Sequence, residues 1–163
     1  MIKIVSLINC KFNNANILDG STSKVIKIPL SLSNLNREIM KLLLTGCTGF
    51  IGRELIPSLI KEGHRLTVIS RQSKGQLKTI ANDQDINFIQ MNPAESSSWN
   101  KEEIQNALKS CEGVINLAGE PIAEKRWTDA HCKEITNSRL ETTKNLIKNL
   151  RNLKKSPKVL INA

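Results

Sequence analysis

Three glycines at three-residue intervals constrain this chain's fold more than any other feature: Gly46, Gly49 and Gly52, within "KLLLTGCTGFIGRELIPSLIKEGHRLTVISR" (residues 41–71). They stand between the apolar run "KLLLT" (41–45) and a helical pattern from about Gly49 to Lys61 that stops at Gly63. "RLTVIS" (65–70), rich in β-branched residues, follows as a second strand. A buried strand that turns at once into a helix needs a tight turn, close backbone approach and close helix packing, and small residues meet all three needs. Amides at the start of such a helix face an anion, which the helix dipole favours further. A pyrophosphate suits that place. The order strand, glycine triplet, helix, strand is what separates this loop from glycines that merely permit a turn.

The alternation continues. "INFIQ" (86–90) reads as a third strand, and "NKEEIQNALKS" (100–110) as a helix that starts at an N-capping Asn100 with acids in its first turn. "GVINLA" (113–118) is a fourth strand. A long helix from about Thr128 carries Ile135, Thr142, Leu146, Leu150 and Leu153 on one stripe; Pro157 breaks it, and "KVLINA" (158–163) is a fifth strand. The fold class is therefore α/β, a Rossmann-type parallel sheet of about five strands with helices on both faces. "MKLLLTG" at Met40 looks like a domain start, so residues 40–163 form the expected domain and 1–39 an extension. In that extension "MIKIVSLI" and "KVIKIPL" are able to pair as strands, and an appended hairpin, a disordered arm and over-early translation all remain open.

Bulk properties narrow the partners. The 163 residues suit one domain, and 39% apolar content suffices for a core. A net charge of +9 would suit nucleic acid, yet the 24 basic residues are scattered among 15 acids. The longest basic cluster, "KNLRNLKKSPK", lies at a helix end, where it complements the dipole, so nucleic acid is not an expected partner. Cys10, Cys47, Cys111 and Cys132 show neither close pairing nor metal spacing, which points to reduced thiols in the cytoplasm. Cys47 reads as a small loop filler rather than a reactive thiol. No apolar run approaches the roughly 18 residues of a membrane helix, and "MIKIVSLINCKF" lacks a signal-peptide cleavage site.

A nicotinamide dinucleotide with a bare ribose is usually held by an acid closing the second strand, about 20 residues beyond the loop. Here that stretch is "ISRQSK". Ser70, Arg71 and Lys74 offer donors and positive charge to a 2′-phosphate, so NADP(H) is the expected cofactor in preference to NAD(H).

"TGCTGFIG" (45–52) resembles the G-x-x-G-x-x-G signature of extended short-chain dehydrogenase/reductases. "INLAGEPIAEKRWTDAHCKEITNSRLETTKNLI" then resembles a narrower branch, the nucleoside-diphosphate-sugar epimerase family, through "NLAGEPI" (116–122), "RWT" (126–128) and "SR" (138–139). The likeness covers Met40 to Ala163. It implies cofactor contacts from Gly46, Thr48, Gly49, Phe50, Ile51 and Gly52 in the loop, from Ser70 and Arg71, and from Leu117, Ala118, Gly119 and Glu120 after the fourth strand. Glu120 and Arg126 would border the nicotinamide or substrate side, and Trp127 would be a packing anchor under the loop. Arg139 takes the place where many extended relatives have a helix asparagine, so no proton-relay role carries over. His64 and His131 are expected in solvated or structural positions.

The same resemblance marks what the chain lacks. Hydride-transfer members generally use a tyrosine as acid or base; this chain has none, and "LINA" is the point from which relatives continue toward a serine and that tyrosine. No catalytic residue is assigned. The expectation is an NADP(H)-binding N-terminal part of an epimerase/dehydratase-like reductase, inactive alone, whose relatives act on a sugar nucleotide or similar small molecule. The alternative is a non-catalytic dinucleotide-binding regulator, since some relatives carry a cell-division-inhibitor label. A fifth strand without later neighbours would leave an unpaired edge and invite self-association.

Overall fold

The computed structural model describes residues 3–5, 38–75, 80 and 86–163. Its elements run β1 (Lys3–Val5), β2 (Lys41–Thr45), α1 (Phe50–Lys61), β3 (Arg65–Ser70), β4 (Ile86–Gln90), α2 (Glu102–Ser110), β5 (Gly113–Asn116), α3 (Asp129–Arg151) and β6 (Val159–Asn162). Every pairing is parallel, and the order across the sheet is β4-β3-β2-β5-β6-β1. The sequence-derived α/β sheet of about five strands is present, with β1 added as a sixth.

β2 sits at the centre because it has apolar residues for both faces. Leu42 to Thr45 are all buried, and alternate side chains point to opposite sides. Leu43 joins Ile69, Val114 and Leu160 under α2 and α3, which contribute Ile104, Leu108, Leu146 and Leu150. Leu42 and Leu44 join Leu66, Val68 and Ile115 on the other face, against Ile56 of α1. Helices therefore cover both faces. Each fully buried leucine or isoleucine contributes about 1.5–3 kcal/mol.

Several boundaries differ from the sequence reading for physical reasons. The helix expected from Asn100 begins instead at Glu102, because Ser96–Asn100 winds into a 3-10 segment around the buried Trp99. The Trp99 indole donates to the carbonyl of Pro93 at 2.9 Å, and Asn145 of α3 donates to that of Ala94 at 3.0 Å, which ties the loop after β4 to α3. β5 ends at Asn116 rather than Ala118. α3 is already closed at its C-cap Asn152, so Pro157 is not what breaks it. Its start is as expected: Thr128 caps it, accepting from the amide of His131 at 3.2 Å. α1 is followed, just past its C-cap Glu62, by Gly63, whose φ of 86° is in the left-handed region.

The expected strand within "KVIKIPL" lies outside the described residues. Lys3–Val5 does form a strand, but it pairs in parallel with β6, Ile4 opposite Leu160. Contrary to the expectation of an unpaired fifth strand, β6 therefore has a neighbour on each side. Glu38 adds an ion pair to Lys158, just before β6. Among the described residues no helix is long and apolar enough to cross a membrane.

Candidate functional site

β2 pairs with β3 on one side and β5 on the other, and β5 comes much later in the chain. At such a switch point the connections depart in opposite directions and leave a crevice beyond the strands' carboxyl ends. A cavity of about 560 Å³ lies there. Gly46, Thr48, Gly49 and Phe50 form its floor and one rim, Ser70 and Arg71 line the β3 side, and Ala118, Gly119 and Glu120 line the β5 side. These expected residues, from three separate segments, meet around one space. Ile51, Gly52 and Leu117 are not on its wall.

The three glycines serve different needs. Gly46 has a φ of 72°, and a Cβ there would lie 2.4 Å from the amide nitrogen of Ala118, so the loop and the β5 turn touch only because that atom is missing. A Cβ on Gly52 would meet the carbonyl oxygen of Cys47 at 2.1 Å, which makes Gly52 the contact that seats α1 on its own loop. Gly49 is not crowded: its Cβ would have Gly46 oxygen at 3.7 Å as nearest neighbour. It is the N-cap of α1 and brings no side chain to cap the helix, and the first turn holds no acid. The amides of Phe50, Ile51 and Gly52 consequently have no acceptor within the helix.

Cys47 is fully buried, and burial pushes its thiol up to about 12. Desolvation outweighs the opposite pull of a nearby helix N-terminus. It is the loop filler expected from the sequence.

Beneath the β5 turn lies a polar network that sequence reasoning missed. The Thr45 hydroxyl donates to Asn116 Oδ1, which also accepts from the amide of Ala118 at 3.3 Å. Asn116 Nδ2 donates to Asn162 Oδ1 at 2.7 Å, and the Thr143 hydroxyl reaches the same oxygen at 3.3 Å. Three strands and α3 are thus locked together under Ala118. The signal available was a polar residue closing each of the apolar strands β2, β5 and β6.

Charge is concentrated around Glu120, a buried residue whose carboxylate faces both walls. Lys125 Nζ lies 2.9 Å from one oxygen and Arg71 3.6 Å from the other. Lys125 first, and Arg71 after it, hold the carboxyl below the usual carboxylate range. The backbone of Glu120 is fixed as well: its amide donates to the Ser138 hydroxyl at 2.9 Å and its carbonyl accepts from Arg139 at 3.1 Å. Arg139 packs so closely that a Cβ on Gly119 would lie 2.8 Å from its guanidinium carbon. The "SR" pair of α3 therefore anchors the "AGE" turn. Arg53, which sequence reading also missed, lines the cavity and donates to the carbonyl of Thr48 at 3.4 Å.

Other expectations need correction. Arg126 is exposed and off the cavity wall, as is Lys74. Trp127 is no buried anchor: it is 66% exposed, and its indole nitrogen staples the loop by donating to Ile122 oxygen at 3.0 Å. Both histidines are structural, as anticipated. His64 accepts from the amide of Met40 at 3.1 Å, and His131 is buried in the first turn of α3.

Comparison with known proteins identifies the family. Residues 42–163 match the model of a family described as the NAD dependent epimerase/dehydratase family. A chloroplastic SDR39U1 homolog of the epimerase family from Arabidopsis thaliana is 35% identical over 126 residues, 76% of this chain and 34% of that protein. An epimerase family protein of Staphylococcus saprophyticus is 31% identical over 121 residues, 74% of this chain and 36% of that protein. The crystal structure of human epimerase family protein SDR39U1 (isoform2) with NADPH is similar at a TM-score of 0.55 and 32% identity, covering 75% of this chain and 36% of that one. The chain spans about a third of the length of the curated relatives it matches.

Proposed function

The chain belongs to the NAD dependent epimerase/dehydratase family, and from that premise we propose that its residues 40–163 are an NADP(H)-binding unit. The cavity fits such a ligand on three counts. It has uncapped amides at the head of α1, a position at Gly49 where the backbone is bare, and cations at Arg53 and Arg71 on its wall. In this reading the amides of Phe50, Ile51 and Gly52 bond the diphosphate, Gly49 lets it approach, and Arg53 balances its charge. Ser70 and Arg71 hold the 2′-phosphate. The backbone of Leu117, Ala118 and Gly119 borders the far half of the ligand, steadied from below by Asn116. A bound nicotinamide dinucleotide supplies hydride transfer. The NADPH in the human relative's structure supports the phosphorylated form.

The observation that carries the proposal is the convergence of the bare Gly49 backbone and the Arg71 side chain on one cavity. It is tested by titrating the purified chain with NADPH and NADH, following nicotinamide fluorescence, for the native sequence and Arg71→Ala. NADPH binds more tightly than NADH to the native chain, and the substitution brings the two together; equal affinities in the native chain would refute the preference.

The chain has no tyrosine. We therefore take it to be inactive alone, a cytoplasmic binding portion of an activity that acts by redox or epimerisation on a sugar nucleotide or similar small molecule. The same lack of tyrosine favours a second reading, a non-catalytic dinucleotide-binding regulator. Incubation with NADPH or NADP and a panel of sugar nucleotides gives no turnover in either case; measurable turnover would exclude both.

A further inference from the structure

The dinucleotide reading leaves Glu120 unexplained, because a buried carboxylate on the wall of an anion site opposes the ligand. Its geometry gives the reason. β3 and β5 flank β2, Arg71 directly follows β3 and Glu120 lies in the turn after β5, so their 3.6 Å contact joins the two sides of the cavity. Arg71 is 59% exposed and free to swing, whereas Glu120 is held by Ser138 and Arg139 through its backbone and by Lys125 through its carboxylate. One partner is fixed and the other moves.

We infer that Glu120 is a specificity-determining residue: it competes with the ligand's 2′-phosphate for Arg71 and so sets how strongly this site prefers the phosphorylated dinucleotide. This rests on the reading in which Arg71 recognises that phosphate. A ligand with a bare ribose leaves the Arg71–Glu120 pair in place and gains nothing from the guanidinium. A 2′-phosphate, with more charge than a carboxylate, takes Arg71 away from Glu120, and the lost ion pair is subtracted from the gain. Lys125 remains on Glu120 when Arg71 departs, so the buried carboxylate is never left without a cation.

The test is a two-by-two set of variants of the full chain, native, Glu120→Gln, Arg71→Ala and the double variant, each titrated calorimetrically with NADPH and NADH. Glutamine keeps the shape and removes the charge. Glu120→Gln raises the NADPH-to-NADH affinity ratio about twofold to fivefold, the worth of a partly exposed ion pair, and Arg71→Ala cancels the gain. Lys125→Met, which leaves Glu120 with Arg71 as its chief cation, moves the ratio the other way and covers the case in which Glu120→Gln folds poorly. If Arg71→Ala lowers the ratio but Glu120→Gln leaves it unchanged or lowers it, the competition is refuted while the phosphate reading stands. If Arg71→Ala alone leaves the ratio unchanged, the phosphate reading itself fails.

Discussion

At the scale of single residues, three glycines that look interchangeable in the sequence answer to different constraints, and substitution separates them. Gly52→Ala forces a Cβ into the backbone of Cys47 and destabilises the fold by about 1–3 kcal/mol, the usual range for overpacking. Gly46→Ala adds the left-handed penalty to a similar clash and costs at least as much. Gly49→Ala, whose Cβ has room, changes the urea midpoint little but puts a methyl group where the diphosphate approaches, and weakens NADPH binding at least tenfold. Equal loss of stability in all three variants would contradict this division. Cys47 supports a pH prediction. Its folded-state value of about 12 lies above the ordinary 9.0, so between those limits the native chain keeps a proton that the unfolded chain has released. Stability is therefore intact below about pH 9 and falls as pH rises, by up to roughly 1.4 kcal/mol per pH unit from this group. Cys47→Ala removes that component, which paired urea titrations at pH 8 and pH 10 would detect as a smaller alkaline loss. The sequence revealed the glycine triplet; it could not show which glycine is packed and which is bare, because Gly46 is packed by Ala118, more than seventy positions further on, and Gly52 by the way the loop folds Cys47 back onto α1.

Among elements, the coherence of the site depends on how the carboxyl ends of β2, β5 and β6 are tied. Asn116→Ala leaves the Thr45 hydroxyl, the Ala118 amide and Asn162 short of partners in a buried setting. The expected cost is about 2–3 kcal/mol in denaturant melts, with weaker NADPH binding because the Ala118 turn loosens. A loss within experimental error would mean that water replaces the network freely. Thr128→Ala removes the cap of α3 and costs about 1 kcal/mol, with less effect on the cavity, since Ser138 and Arg139 lie further along the helix. Strands and helices were legible because β2, β3 and β5 are bounded apolar runs. The boundary errors came from interactions that local pattern does not encode. Trp99 recruits five residues into a 3-10 segment and delays α2, and the Trp127 indole donates back within its own loop to Ile122 while its ring stays exposed.

For the whole molecule, part of the net charge of +9 is directed at the crevice, as Arg53 and Arg71, and is partly countered there by Glu120. The positions of Ser70, Arg71 and Glu120 around one cavity were legible only because the alternation of strands and helices specified the sheet order. The side-chain bridge between Arg71 and Glu120 was not, since it joins two segments of unrelated local pattern. The central claim is that the amides opening α1 clasp a diphosphate. It is tested most directly by recording amide chemical shifts of the isotopically labelled chain during NADPH titration. The account predicts that Phe50, Ile51 and Gly52 show the largest downfield amide shifts, with Arg71 and Ala118 next. Undisturbed loop amides at saturating NADPH, or shifts centred on another face, would contradict it.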